Sequence, residues 1–180
     1  SVVGDTLLVG SNNTDGSNAD GTKAYVYTRS GTTWSLQQKV DPSQALENDF
    51  FGYQKTLKLD NTDNNQFIAG SHREDETNND EGAVYIFNRS GTTWSETQRI
   101  VPSDKATSSN FGVSVDIAGD YAIFGGNSAV YVYYKSGGTW SQQQKIANPY
   151  AAGNGHSGPT NAVNFGTDGE ISINAAGDTI

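Results

Sequence analysis

Arg29-Ser30-Gly31-Thr32-Thr33-Trp34 decides the reading of this chain. It returns unchanged as Arg89-Ser90-Gly91-Thr92-Thr93-Trp94 and, slightly altered, as Lys135-Ser136-Gly137-Gly138-Thr139-Trp140. All three tryptophans of the sequence close this phrase. Self-similarity at a fixed period is an architectural signal and is read before any residue chemistry. Ahead of the first copy runs Ala24-Tyr25-Val26-Tyr27-Thr28, and behind it Ser35-Leu36-Gln37-Gln38-Lys39-Val40. Such β-branched and aromatic runs suit a pleated, half-buried surface and alternate with period two. Between them Ser-Gly supplies the positive φ of a tight turn at Gly31, Gly91 and Gly137. The phrase is therefore a β-hairpin, made three times.

The remaining strands follow from the same reading. Leu7-Leu8-Val9-Gly10 stands behind a Gly4-Asp5 turn, and Gln66 to Gly70 and Tyr121 to Gly125 match it. Phe51-Gly52, Phe111-Gly112 and Phe165-Gly166 open a further strand in each repeat, over Tyr53 to Leu59 and Asn110 to Ile117 in the first two cases. Trp34 to Trp94 is 60 residues and Trp94 to Trp140 is 46. Gly52 to Gly112 is 60 and Gly112 to Gly166 is 54. The shorter third interval reflects the near-loss of the acidic loop Ser71 to Glu81, which Gly126-Asn127-Ser128 replaces. Gly4 to Gly177 is 173 residues, or three periods of about 58. The expected organisation is one repeat domain over 1–180, with repeats at 1–50, 51–110 and 111–164 and the start of a fourth at 165–180. Four antiparallel strands at this period make an all-β fold of β-propeller blades.

Composition agrees and excludes several classes. Gly accounts for 21 of 180 residues, as many short strands and turns require. The net charge is −9, and the 11 Lys and Arg are scattered, so no clustered basic footprint for nucleic acid exists. Acidity is read as a solubility device. Cysteine is absent, which removes a disulfide framework and thiol chemistry. No apolar run approaches the ~18 residues of a membrane helix. Both ends fall within strand patterns, which favours a portion of a larger propeller. The strand 165–174 also matches the neighbour that the strand 5–10 lacks, which keeps closure by two copies open, and stacking of the repeats into an open array is the third arrangement.

Phe111-Gly112 followed by Ile123-Phe124-Gly125-Gly126 resembles the FG-GAP repeat, the blade unit of the integrin alpha-subunit head. Val9-Gly10 and Phe51-Gly52 with Ile68-Ala69-Gly70 fit the same pattern, so the resemblance spans the chain. The Arg-Ser-Gly-x-x-Trp phrase is similar to repeats of bacterial and eukaryotic surface proteins. The resemblance implies a propeller, an extracellular or cell-surface location, and adhesion or ligand binding rather than catalysis. It also implies a calcium cage between the first two strands of a blade. That cage needs oxygen ligands at alternating positions and a Gly at the bend. Here Ala118-Gly119-Asp120 has one carboxylate and Asp60 to Asn65 lacks the Gly, so the cage is not carried over.

Candidate sites are few. Asn13, Asp15 and Asp20 in one loop, and Asp75, Asp80 and Glu81 in another, offer oxygens to a cation such as Ca²⁺, although their spacing matches no known calcium loop. A solvated acidic loop is the competing reading. Asn12 and Asn88 begin glycosylation sequons. His72 and His156 stand far apart, without Cys or Glu at ligand spacing. No nucleophile–base pair and no singled-out carboxylate pair points to an enzyme. The repeated aromatics Tyr25, Tyr27, Tyr85, Phe87, Tyr131, Tyr133 and Tyr134, with the tryptophans, read as blade-to-blade packing. The expected function is a non-enzymatic extracellular adhesion or scaffold module. Its partners would be a protein or glycan at the cell surface, or copies of itself, with no nucleic acid and no membrane insertion. A carbohydrate-binding lectin and a subunit of an extracellular filament or coat are the alternatives.

Overall fold

A computed structural model describes residues 1–11, 23–46, 48–149 and 171–174. Among these residues the chain is all strand and turn. The first blade holds β1 (Val2–Val3), β2 (Thr6–Ser11), β3 (Lys23–Ser30) and β4 (Thr33–Val40). The second holds β5 (Leu57–Leu59), β6 (Gln66–Ser71), β7 (Ala83–Ser90) and β8 (Thr93–Ile100). The third holds β9 (Ser114–Ala118), β10 (Tyr121–Gly125), β11 (Ala129–Ser136) and β12 (Thr139–Ala147). Each sheet is an antiparallel meander in chain order. Among the described residues the three sheets do not close into a ring.

Alternation gives every blade two different faces. In β3, β7 and β11 the even-spaced Val and Ile point one way and the Tyr and Phe the other. The aliphatic face of one blade then packs on the aromatic face of the next. Leu8, Ala24, Val26 and Val40 meet Phe67, Tyr85, Phe87 and Trp94. Ile68, Val84, Ile86 and Ile100 meet Phe124, Tyr131, Tyr133 and Trp140. Each large side chain buried this way contributes about 1.5–3 kcal/mol. Trp94 and Trp140 are 2% and 3% exposed, whereas Trp34, on the first blade's aromatic face, which no other described blade covers, is 36% exposed.

A β-bulge recurs at one position in every hairpin. Tyr27 pairs with Leu36 but Val26 with Gln38, which leaves Gln37 as the extra residue. Thr97 and Gln143 are the extra residues of the other two. The bulge breaks the alternation of the outer strand, so Gln38 and Val40 lie on the face opposite to Trp34. At the turn, Arg29, Arg89 and Lys135 each lie over the indole of their own blade, at 5.5, 5.6 and 5.3 Å from the ring centroid.

The Phe-Gly pairs stand before the strands they were expected to open. Phe51-Gly52 and Phe111-Gly112 form turns, and β5 and β9 begin only at Leu57 and Ser114. The physical reason is the backbone of the glycine: Gly52 and Gly112 have φ of +69° and +85°, incompatible with a strand. Their carbonyls lie so close under Gly10 and Gly70 of the preceding blade that a Cβ there would overlap them. Phe51 and Phe111 are fully buried, edge-on to Tyr85 at 5.6 Å and Tyr131 at 5.0 Å.

The neighbour of β2 is also corrected. Val2 and Val3 pair with Leu7 and Thr6, so β2 has a partner from its own blade. Residues 171–174 instead lie against the third blade: Ile173 packs with Ala118, Ile123, Val130 and Val132, and its N–H donates to Asp116 Oδ2 at 2.9 Å.

Candidate functional site

An antiparallel meander separates two ends of each blade. The β1–β2 and β3–β4 turns lie at one end, and the β2–β3 and β4-to-next-blade connections at the other. At the connection end the second and third blades solve one packing problem differently. Tyr85, on the aromatic face, needs a partner for its buried hydroxyl. It donates to Glu74 Oε2 at 2.6 Å, and Arg99 Nε donates to Glu74 Oε1 at 2.7 Å. Glu74 comes from the acidic loop and is itself buried. Burial, then the Glu74 hydrogen bond and charge, push the Tyr85 phenol far above its ordinary range. The third blade lacks that loop. There Tyr131 donates to Asp104 Oδ1 at 3.1 Å, and Lys145 pairs with the same carboxylate. Asp104 is supplied by the connection behind the second blade, so the same tyrosine–carboxylate–cation triad is built from another part of the chain.

The acidic loop is pinned at both ends. Arg73 N–H and Ser71 Oγ donate to the carbonyl of Asp49, at 3.2 and 3.1 Å. Backbone N–H groups of Ser108, Asn110 and Phe111 donate to carbonyls of Asn79, Asp80 and Glu81. Glu81 is fully buried, and its carboxylate accepts from Thr77 N–H at 3.0 Å and from Asn78 N–H and Nδ2 at 3.1 and 3.0 Å. Burial acts to raise its pKa, but these donors and the charge of Lys105 outweigh it and hold it below its ordinary value.

A cleft of about 400 Å³ opens between this loop and the connection before it, lined by Asp49, Arg73, Asp75, Glu76, Asp80 and Arg99 among others. Burial, with the charges of Glu74, Asp75 and Asp80, lifts Asp49 to about 6 despite the N–H of Leu46 that it accepts. His72 stacks at a tilt on Phe50, 5.4 Å between centroids. Burial, then the charge of Arg73, lowers it to about 4, and its buried Nδ1 has no hydrogen-bond partner among the described residues.

Of the candidate cation ligands, Asp75 and Asp80 share this cleft, and Asp75 Oδ1 accepts the Asp80 N–H at 2.6 Å. Glu81 does not line it, being turned onto Thr77 and Asn78. Among the described residues no group of three or more His, Asp or Glu is placed to hold a metal ion. Asn13, Asp15 and Asp20 lie outside the described residues, as do Asn12, His156, Phe165 and Gly166. Asn88 is half-buried, and its Oδ1 accepts from Gln66 Nε2 at 2.5 Å.

Residues 94–133 match the FG-GAP repeat. Over this segment the chain is FG-GAP-like. The match runs from Trp94, through Phe111-Gly112, to Tyr133 in the third blade. No curated protein matches the chain.

Beside the FG-GAP-like segment, three sets of residues escaped the reading of the sequence. Gln38 and Gln98, which join blades, stand four residues beyond their tryptophans, and Gln144 repeats the spacing. That Trp-x-x-x-Gln repeat was the available signal. Glu74 and Asp104 occupy unrelated places in the sequence, so no spacing links them. Tyr121, opposite Tyr134, was visible only as a departure from the repeat.

Proposed function

We propose that the protein is a non-enzymatic extracellular adhesion or scaffold module that presents its connection end to a protein or glycan at the cell surface. One observation carries this reading. The polar residues that recur between blades are spent on joining them, while the connections at equivalent positions differ. The second blade extends a long acidic loop where the third has three residues. A rigid framework with variable loops is a presenting device. FG-GAP repeats typically occur in extracellular or surface proteins, which supports the same reading.

The test is adhesion of cells to beads coated with the full chain. Thr77→Arg alters an exposed side chain of the loop and leaves in place the bond from the Thr77 backbone N–H to the Glu81 carboxylate. Adhesion that falls with this variant, at unchanged melting temperature, is the expected result. Absence of adhesion to any cell type, or turnover of a polysaccharide or peptide by the purified chain, would overturn the reading.

A further inference from the structure

The third blade departs from the repeat at the turn end. Where the second and third strands first pair, blade one sets Thr6 against Thr28 and blade two sets Gln66 against Asn88. Blade three sets Tyr121 against Tyr134. The two rings lie at 5.0 Å between centroids, tilted by 52°. In the first two blades this position is polar and meets the next blade's cation, Thr6 Oγ1 accepting from Arg89 Nη1 at 3.3 Å and Gln66 Oε1 from Lys135 Nζ at 3.5 Å, whereas the third blade sets two aromatic rings there. Tyr121 only borders the aliphatic cluster of Ile123, Val130 and Val132, and Tyr134 is 38% exposed. Their hydroxyls differ from those of Tyr85 and Tyr131, which are bound to carboxylates: neither bonds to another described residue.

The pair borders a groove of about 510 Å³ that also includes Thr62, Asp63, Asp120 and Lys135. Its base is fixed. Asp60 is buried, and its Oδ1 accepts from Thr62 N–H at 2.9 Å, Thr62 Oγ1 at 2.8 Å and Gly119 N–H at 3.1 Å, which ties the turns of two blades together. Lys135 is already committed, 3.2 Å from Asp120 and over the Trp140 ring. What the groove leaves open is an aromatic wall, two phenol hydroxyls, and carboxylate oxygens of the exposed Asp63 and Asp120.

An aromatic wall beside hydrogen-bond acceptors suits a ligand with one apolar face and a rim of hydroxyl donors. A pyranose ring has that form: its axial C–H groups make a flat apolar face. The carboxylates and the net charge of −9 oppose an acidic sugar. We propose that this groove binds neutral hexopyranosides, with the sugar stacked on Tyr134 and its hydroxyls donating to Asp63 and Asp120. The site lies at the opposite end from the acidic loop and does not depend on the function proposed for that loop.

Ligand-observed saturation-transfer NMR on the full chain tests this, with neutral hexopyranosides as probes and uronates as controls. Transfer to the neutral sugars and none to the uronates is expected. Tyr134→Ala weakens binding by about ten-fold, the loss of one stacking contact, while Tyr134→Phe keeps it. Thr62→Arg fills the groove and abolishes transfer, and the melting temperatures of both variants are measured because it also removes the hydroxyl that donates to Asp60 Oδ1. No transfer to any neutral sugar, or transfer that persists unchanged in both Tyr134→Ala and Thr62→Arg, would overturn the proposal. Either outcome leaves the Thr77→Arg adhesion result to be read by itself.

Discussion

Gln38 of the first blade holds the backbone of Trp94 in the second. Its Nε2 donates to the Trp94 carbonyl at 2.8 Å, and its Oε1 accepts the Trp94 N–H at 2.7 Å. Gln98 makes the same pair of bonds to Trp140, at 2.8 and 2.9 Å. One amide side chain thus satisfies the exposed edge of the next blade's outermost strand and sets the angle between blades. Gln98→Ala leaves both Trp140 groups without their partner and is expected to cost about 1–3 kcal/mol. Gln144→Ala, at the equivalent exposed position of the third blade, is expected to stay within about 0.5 kcal/mol. Urea denaturation of the two variants checks this. Equal losses would remove the clasp from the account.

The indole N–H groups of Trp94 and Trp140 fare differently. Trp94 Nε1 donates to Gln37 Oε1 at 3.1 Å. The bulge residue facing Trp140 is Thr97, whose hydroxyl donates to the Ile86 carbonyl at 3.3 Å, and Trp140 Nε1 is buried without a partner among the described residues. Thr97→Gln copies the first blade and is expected to stabilise the protein by about 0.5–1.5 kcal/mol, read as a raised melting temperature.

Gly70 and Gly91 make an opposed pair of glycine tests. A Cβ on Gly70 would overlap the Gly112 carbonyl, whereas one on Gly91 meets nothing within 4 Å. Gly70→Ala is expected to cost about 3 kcal/mol or more by forcing two blades apart. Gly91→Ala bears only the strain of its φ of +62°, about 1–2 kcal/mol. Chemical denaturation ranks them.

Stability against pH carries two opposed contributions from the cleft. Asp49 is raised to about 6, so the folded chain binds more protons than the unfolded one between its ordinary carboxylate range and pH 6. Stability from this group falls as pH rises through that window. His72 is lowered to about 4 from 6.5, so the unfolded chain binds more protons between those values, and stability rises with pH there. Asp49→Asn is therefore expected to steepen the gain in stability between about pH 4 and 6, and His72→Gln to reverse it. Melting temperatures across that range distinguish the two signs.

Much of the fold was legible because a blade is written in local signals. The period-two alternation of Tyr25 to Tyr27 and the Ser-Gly turn require no knowledge of the neighbouring blade. What was missed depends on contacts between blades. The bulge at Gln37 is one case: Trp34 and Val40 are six residues apart, and simple alternation would put them on one face. The turn at Phe51-Gly52 is another, since only the approach of Gly10 explains why the strand waits until Leu57. The acidic loop was legible as acidic, but not as the source of the buried partner of Tyr85.

Aliphatic faces cover aromatic ones, blade after blade, and the three tryptophans measure this directly. Acrylamide quenching of tryptophan fluorescence, compared between the native chain and Trp34→Phe, is the decisive measurement. Packing as described predicts one accessible, red-shifted indole that disappears with Trp34→Phe, and two indoles, Trp94 and Trp140, that acrylamide barely reaches. Three indoles quenched alike, or an accessible population that survives Trp34→Phe, would contradict it.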